Sequence, residues 1–169
     1  LLWFPTGGGK TEAYLGLAAF YMFHRRLSNP ANTGVNIIMR YTLRLLTTQQ
    51  FQRASGLICA MECIRAKNPG ELGGDEFSIG VWLGRDITPN DHGTAKENLK
   101  KLQKGDRYTE NLFLLNRCPW CGARIGPVKY EGKAPAAAPK VLGYRQEAVR
   151  VAFTCTDREN CLFGKGLPV

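Results

Sequence analysis

Two sets of residues in this chain have the types and spacing to do chemistry. The first is Pro5-Thr6-Gly7-Gly8-Gly9-Lys10-Thr11, which follows the apolar run Leu1-Leu2-Trp3-Phe4 and precedes a long helical pattern. Consecutive glycines let a backbone turn tightly and aim its N–H groups at phosphate oxygens with no Cβ in the way. A helix starting at the same point adds the positive end of its dipole. In such a cradle Thr6, Gly7, Gly8 and Gly9 line the phosphates, Lys10 reaches the β- and γ-phosphates, and the Thr11 hydroxyl ligates Mg²⁺. The strict G-x-x-x-x-G-K-[ST] pattern asks for glycine where this chain has Phe4, so the match is one residue short.

The second set is cysteine. Cys118-Pro119-Trp120-Cys121-Gly122 is a C-x₂-C knuckle, in which two thiolates converge on one metal and Gly122 permits the tight turn. Its partner is the wider pair Cys155 and Cys161, with Asp157 and Asn160 in the loop between them. Four cysteines in two close pairs, with no secretory signal in view, favour a Cys₄ Zn²⁺ site over disulfides or an iron–sulfur cluster. Four sulfur ligands leave no open position for water, so the expected role of the zinc is structural. A module this small lacks a large core, and metal would supply its folding energy. Cys59 and Cys63, four apart on a helical stretch, read as small buried hydrophobes.

The elements that must position these residues alternate. Residues 11–28 read as a helix, apolar nearly all round and so expected to be buried on all sides, with His24, Arg25 and Arg26 in its last turn and Asn29-Pro30 as its stop. His24 reads as a capping or surface residue. Residues 35–40 are a β-branched run, 42–64 a second helix, 77–83 a third strand, 94–103 a short basic helix, and 112–115 a further apolar run. Strand–helix alternation predicts parallel βαβ units. Residues 124–130 and 142–153 read as strands of the cysteine module, joined by a mobile Ala-Pro stretch at 134–139.

Composition agrees with a globular chain: 44% of the 169 residues are hydrophobic and 22% charged. The longest apolar-rich run, 13–23, is far short of the ~20 residues of a membrane span, so no membrane is expected as a partner and a cytoplasmic location is. The formal net charge is +9, with five basic residues against one acid in 1–50 and nine against four in 117–169. That balance suits a polyanion such as nucleic acid.

The Pro-Thr-Gly-Gly-Gly-Lys-Thr form resembles motif I of superfamily 2 helicases. Thr42-Leu43-Arg44-Leu45-Leu46-Thr47-Thr48-Gln49 is similar to motif Ia of the same enzymes: Arg44, Leu46 and Gln49 take the arginine, leucine and glutamine positions, while Thr42 and Leu43 stand where proline and threonine are usual. Arg40, Thr42 and Arg44, at a helix start just past a strand, offer donors to a nucleic-acid backbone. Together with the cysteine knuckle, the wording of residues 1–53 most resembles the helicase component of DISARM-type anti-phage systems. The resemblance implies an α/β fold: a partial RecA-like parallel sheet over 1–116, a small β zinc ribbon inserted at 117–163, and a return toward the RecA-like domain at 164–169. It also implies ATP and Mg²⁺ as cofactors, DNA rather than RNA as the polymer, and a protein partner as a further role for the ribbon. The alternative is a zinc-containing module that binds nucleic acid or protein without catalysis.

Several expected parts are missing from these residues. Asp75-Glu76 resembles a Walker B pair, but Gly73-Gly74 precede it where an apolar strand belongs, and Asp86 is followed by no Glu. Gly73-Gly74-Asp75-Glu76-Phe77 also spells the diguanylate cyclase signature, which belongs to a different domain that carries no phosphate loop. An arginine finger alone can contribute ~10³–10⁵ in rate, and neither it nor the water-activating acids is present. These residues alone are therefore expected to be inactive, as a piece of a longer ATP-dependent helicase or translocase.

Overall fold

The computed structural model describes residues 9–40, 44–83, 87–106, 108–128 and 140–169, and for 44–47 the backbone alone. Thr6, Gly7, Gly8, Thr42 and the Ala-Pro stretch lie outside the described residues. The chain divides into two compact units, one running to Ile79 and including Pro168, the other running from Gly80 to Leu167 with Val169.

In the first unit, α1 (Lys10–Ser28) begins after Gly9, whose φ of 76° is left-handed backbone suited to glycine. Helix α2 (Arg44–Lys67) and the single turn α3 (Pro69–Leu72) follow. Ile58 and Met61 of α2 are buried against Phe77, with Ala19, Met22 and Phe23 of α1 packed on the same cluster. Burial of each such side chain stabilises by about 1.5–3 kcal/mol. The exposed Arg53–Glu12 ion pair also joins the two helices, but pairs of that kind contribute about 0–1 kcal/mol. Apolar packing therefore holds α1 to α2.

Expected and observed elements differ in two respects. Leu17 and Phe20 are 61% and 67% exposed, so α1 is covered on one side only. An all-round apolar helix needs packing elements on both sides, and among the described residues α2, α3 and the 77–79 segment supply one. Residues 35–40 and 77–83, expected as strands, and the apolar run 112–115 form no ladder among the described residues. A strand exists through its neighbour's hydrogen bonds, and Val35, Ile38 and Trp82 stand well exposed beside no such neighbour. Ile79 N–H does donate to the Pro168 carbonyl, at 3.0 Å.

Buried charge organises the turn that follows α3. The Arg26 guanidinium, over the Phe77 ring at 4.8 Å, donates to the Leu72 and Asp75 carbonyls at 2.9 and 2.8 Å. Arg65 pairs with Glu62 at 2.6 Å and donates to the Gly73 carbonyl, while Glu62 accepts the Phe77 N–H at 3.0 Å. The hydrogen bond that Arg65 donates to Glu62 also raises the Arg65 pKa above its ordinary value.

The second unit starts its regular structure at α4 (His92–Lys104), capped by Asp91, which accepts the Thr94 N–H at 2.8 Å. Leu99 and Leu102 are buried beneath it. The strands are short: β1 (Gly126–Pro127) pairs antiparallel with β2 (Val141–Leu142), and β3 (Tyr144–Gln146) with β4 (Val151–Phe153). Helix α4 packs on β3 and β4. Phe113, Tyr144 and Phe153 form an edge-on aromatic triangle with centroids 5.0–5.8 Å apart. Tyr144 is buried there and donates its hydroxyl to the Leu115 carbonyl at 2.7 Å. Both sheets among the described residues are antiparallel.

Candidate metal centre and phosphate loop

Each cysteine pair sits in a turn held by its own backbone. In the first, Cys118 N–H donates to the Ala123 carbonyl at 2.8 Å and Gly122 N–H to the Cys118 carbonyl at 2.9 Å. Gly122 has φ 78°, the left-handed conformation that closes the knuckle. An isolated bridge between Arg117 and Arg124 ties its two ends.

The second pair solves the problem of its wider spacing with Asp157. The Asp157 carboxylate accepts both the backbone and the side-chain N–H of Asn160, at 3.2 and 3.0 Å, while its carbonyl accepts Cys161 N–H at 3.0 Å. Five intervening residues thereby fold into a turn that returns Cys161 beside Cys155. Cys155 N–H donates to the Phe163 carbonyl, and the Phe163 ring meets Trp120 edge-on at 5.8 Å. That ring pair links one cysteine turn to the other.

The result is a four-sulfur cluster. The Sγ atoms of Cys118, Cys121, Cys155 and Cys161 all lie within 4.8 Å of one another. Across the turns, Cys118 stands 3.9 Å from Cys161 and Cys121 stands 3.3 Å from Cys155. Tetrahedral zinc with Zn–S bonds of about 2.3 Å sets its sulfurs about 3.8 Å apart. The cluster therefore fits a metal ion of that coordination. Cys118, Cys155 and Cys161 are buried and Cys121 is exposed.

The thiols differ in acidity for local reasons. A hydrogen bond from the Ala123 backbone lowers the Cys121 pKa, whereas burial raises those of Cys155 and Cys161. Cys121 is thus readier to present a thiolate than Cys155 or Cys161, from which metal binding must displace protons. Cys59, by contrast, is fully buried on α2 and is not a member of that cluster.

The phosphate-loop residues that are described occupy the first turn of α1. Lys10 and Thr11 follow Gly9 directly, both half-buried. Among the described residues no side chain caps this helix start, whose N-cap residue is Gly9, so its first N–H groups have no acceptor from that residue. An uncapped N-terminus after a left-handed glycine fits a phosphate in place of the cap. Arg44 is the first residue of α2 and Arg40 is exposed just before it in the chain.

The sequence reading missed four parts. The Trp120–Phe163 pair and the Asp157 turn depend on contacts between segments about 40 residues apart or on backbone geometry. Arg26, read as a helix-end cation, is instead a buried clamp. The i,i+3 spacing of Glu62 and Arg65 is the one signal in sequence that announces their pair.

No family model matches the chain, and no solved structure matches it. The chain is similar to the DISARM protein DrmA of Bacillus paralicheniformis, 38% identical over 175 residues that cover 98% of this chain. It spans 15% of the length of that curated relative. Across nearly all of its residues this chain is a homologue of one segment of a DISARM protein.

Proposed function

We propose that these residues form the ATP-binding portion of a superfamily 2 DNA helicase or translocase that serves in anti-phage defence. The observation that carries the reading is the α1 start: a helix N-terminus after left-handed Gly9 that no side chain among the described residues caps, with Lys10 and Thr11 in its first turn. Similarity to a DISARM protein supports the defence role. The reading expects the RecA-like parallel sheet and residues 5–8 of the loop to complete the cradle.

In this reading the first-turn N–H groups and the Lys10 ammonium bind phosphate, and the Thr11 hydroxyl is the magnesium ligand on the protein side. Bound ATP supplies the phosphoryl group whose transfer drives movement on DNA. Arg40, Thr42 and Arg44 contact the DNA backbone. The cysteine cluster holds Zn²⁺, and its role is to fold the turns rather than to react.

Nucleotide binding tests the proposal. The full-length protein should bind ATP and hydrolyse it, and Lys10→Ala should abolish hydrolysis with a large loss of nucleotide affinity. Unchanged hydrolysis in Lys10→Ala would refute it. The second reading, a zinc module without catalysis, is favoured by the tetrahedral fit of the four sulfurs. It predicts that Lys10→Ala changes nothing while zinc removal abolishes binding to partners.

A further inference from the structure

The solvent face of α4 is not used by either site above, and its charge is unusual. Lys96, Lys100 and Lys104 recur every fourth residue along it, and Glu97 is the one acid among the helix's four lysines. The opposite face, with Asn98, Leu99 and Leu102, is buried. Asn98 is locked by donating to the Glu110 carbonyl at 2.8 Å and accepting the Leu112 N–H at 3.3 Å, so the lysine row stands on a fixed support.

Like charges four apart on a helix repel and destabilise it. No carboxylate among the described residues lies within ion-pair distance of these three ammoniums. The nearby acid Glu147 is taken by Arg145 and Arg150 at 2.8 and 2.9 Å, and Asp91 caps the helix. Two ammoniums are instead held by neutral carbonyls. Lys96 Nζ donates to the Ala148 carbonyl at 3.2 Å, and Lys140 Nζ reaches the Lys104 carbonyl at 2.6 Å. Carbonyl anchors fix position without cancelling charge, and each ammonium keeps further donors. Lys140 thus extends the row to four.

We propose that this row, Lys96, Lys100, Lys104 and Lys140, is a second, sequence-independent contact for a nucleic-acid backbone. The inference rests on the translocase reading and adds a surface to it that the phosphate loop and Arg40 to Arg44 do not include. At 1.5 Å per residue, Lys96 to Lys104 spans about 12 Å. One DNA strand carries a charge every ~3.4 Å of axis, so the ridge faces about three to four phosphates. Ammoniums on flexible stems bind phosphate as point charges and read no base. The apolar side of α4 is buried, so the helix has nothing to insert into a lipid surface.

The test uses the full-length protein and the variant K96Q/K100Q/K104Q. Affinity for two duplexes of unrelated sequence is measured from 50 to 200 mM salt. The variant should lose affinity for both alike, with a log–log salt slope shallower by about two to three, while ATP binding persists. The charge-retaining K96R/K100R/K104R should keep the wild-type slope, which separates lost charge from lost folding. Unchanged slope in the glutamine variant overturns the ridge and leaves the translocase reading standing. Failure of the wild type to bind any DNA overturns both. Loss of binding to phosphatidylserine vesicles with DNA binding intact also overturns the ridge, in favour of a membrane.

Discussion

At the scale of single residues, function and stability rest on different side chains. Cys155 is wholly buried within the sulfur cluster, so Cys155→Ser removes a soft ligand where no water can replace it. The expected outcome is loss of about one zinc per chain by metal analysis, with unfolding of the cysteine turns. Tyr144 is a structural counterpart. Burial pushes its hydroxyl up to about 12 from an ordinary 10. A raised folded value means that the neutral phenol stabilises the fold fully below about pH 10, and that this contribution fades as pH climbs through about 12. The shift corresponds to about 2–3 kcal/mol. Urea unfolding from pH 9 to 12 should show wild type losing stability more steeply than Tyr144→Phe. Parallel curves for the two would mean that the phenol is not buried in solution.

At the scale of elements, the turn after α3 depends on buried charge more than on its own sequence. Arg26 and Arg65 hold four carbonyl and carboxylate groups from Glu62 to Asp75, and Glu62 returns the favour to the Phe77 backbone. Removing one member leaves the other charged and unpaired. Glu62→Ala should therefore destabilise the first unit by about 3–5 kcal/mol, read by chemical denaturation, whereas Glu12→Ala at the exposed pair should cost under about 1 kcal/mol. Equal effects would show that burial does not set the value of these pairs. The three long helices were legible in sequence to within two or three residues at each end, because apolar spacing and the Asn29-Pro30 stop act locally, whereas the single turn α3 was not. The 35–40, 77–83 and 112–115 runs were legible as apolar but not as paired, since pairing depends on a neighbour that a single segment does not specify.

At the scale of the whole molecule, the candidate metal centre and the proposed phosphate loop belong to separate units. The four clustered cysteines lie in the second unit, and Lys10 with Thr11 in the first. Chelation at neutral pH should therefore lower the melting temperature of the cysteine unit and leave ATP affinity unchanged within about twofold, measured on the full-length protein. A parallel loss of ATP binding on chelation would show that the units depend on one another.

Residue types alone determined the chemistry available here. Gly9-Lys10-Thr11 at a helix start and two cysteine pairs are local patterns, and the physics they invoke acts over a few bonds or one helical turn. The shared centre of Cys118, Cys121, Cys155 and Cys161 was expected from their spacing, and the structure brings their sulfurs within 4.8 Å of one another. Only the tertiary structure decided that Asp157 makes the wide spacing workable, that Arg26 is a clamp, and that Lys140 joins a row begun 44 residues earlier. Apart from the local Asp157 turn, each of those facts is a distance between segments remote in the chain. Such distances are set by which surfaces are buried together, and no short stretch of sequence contains both sides of that choice.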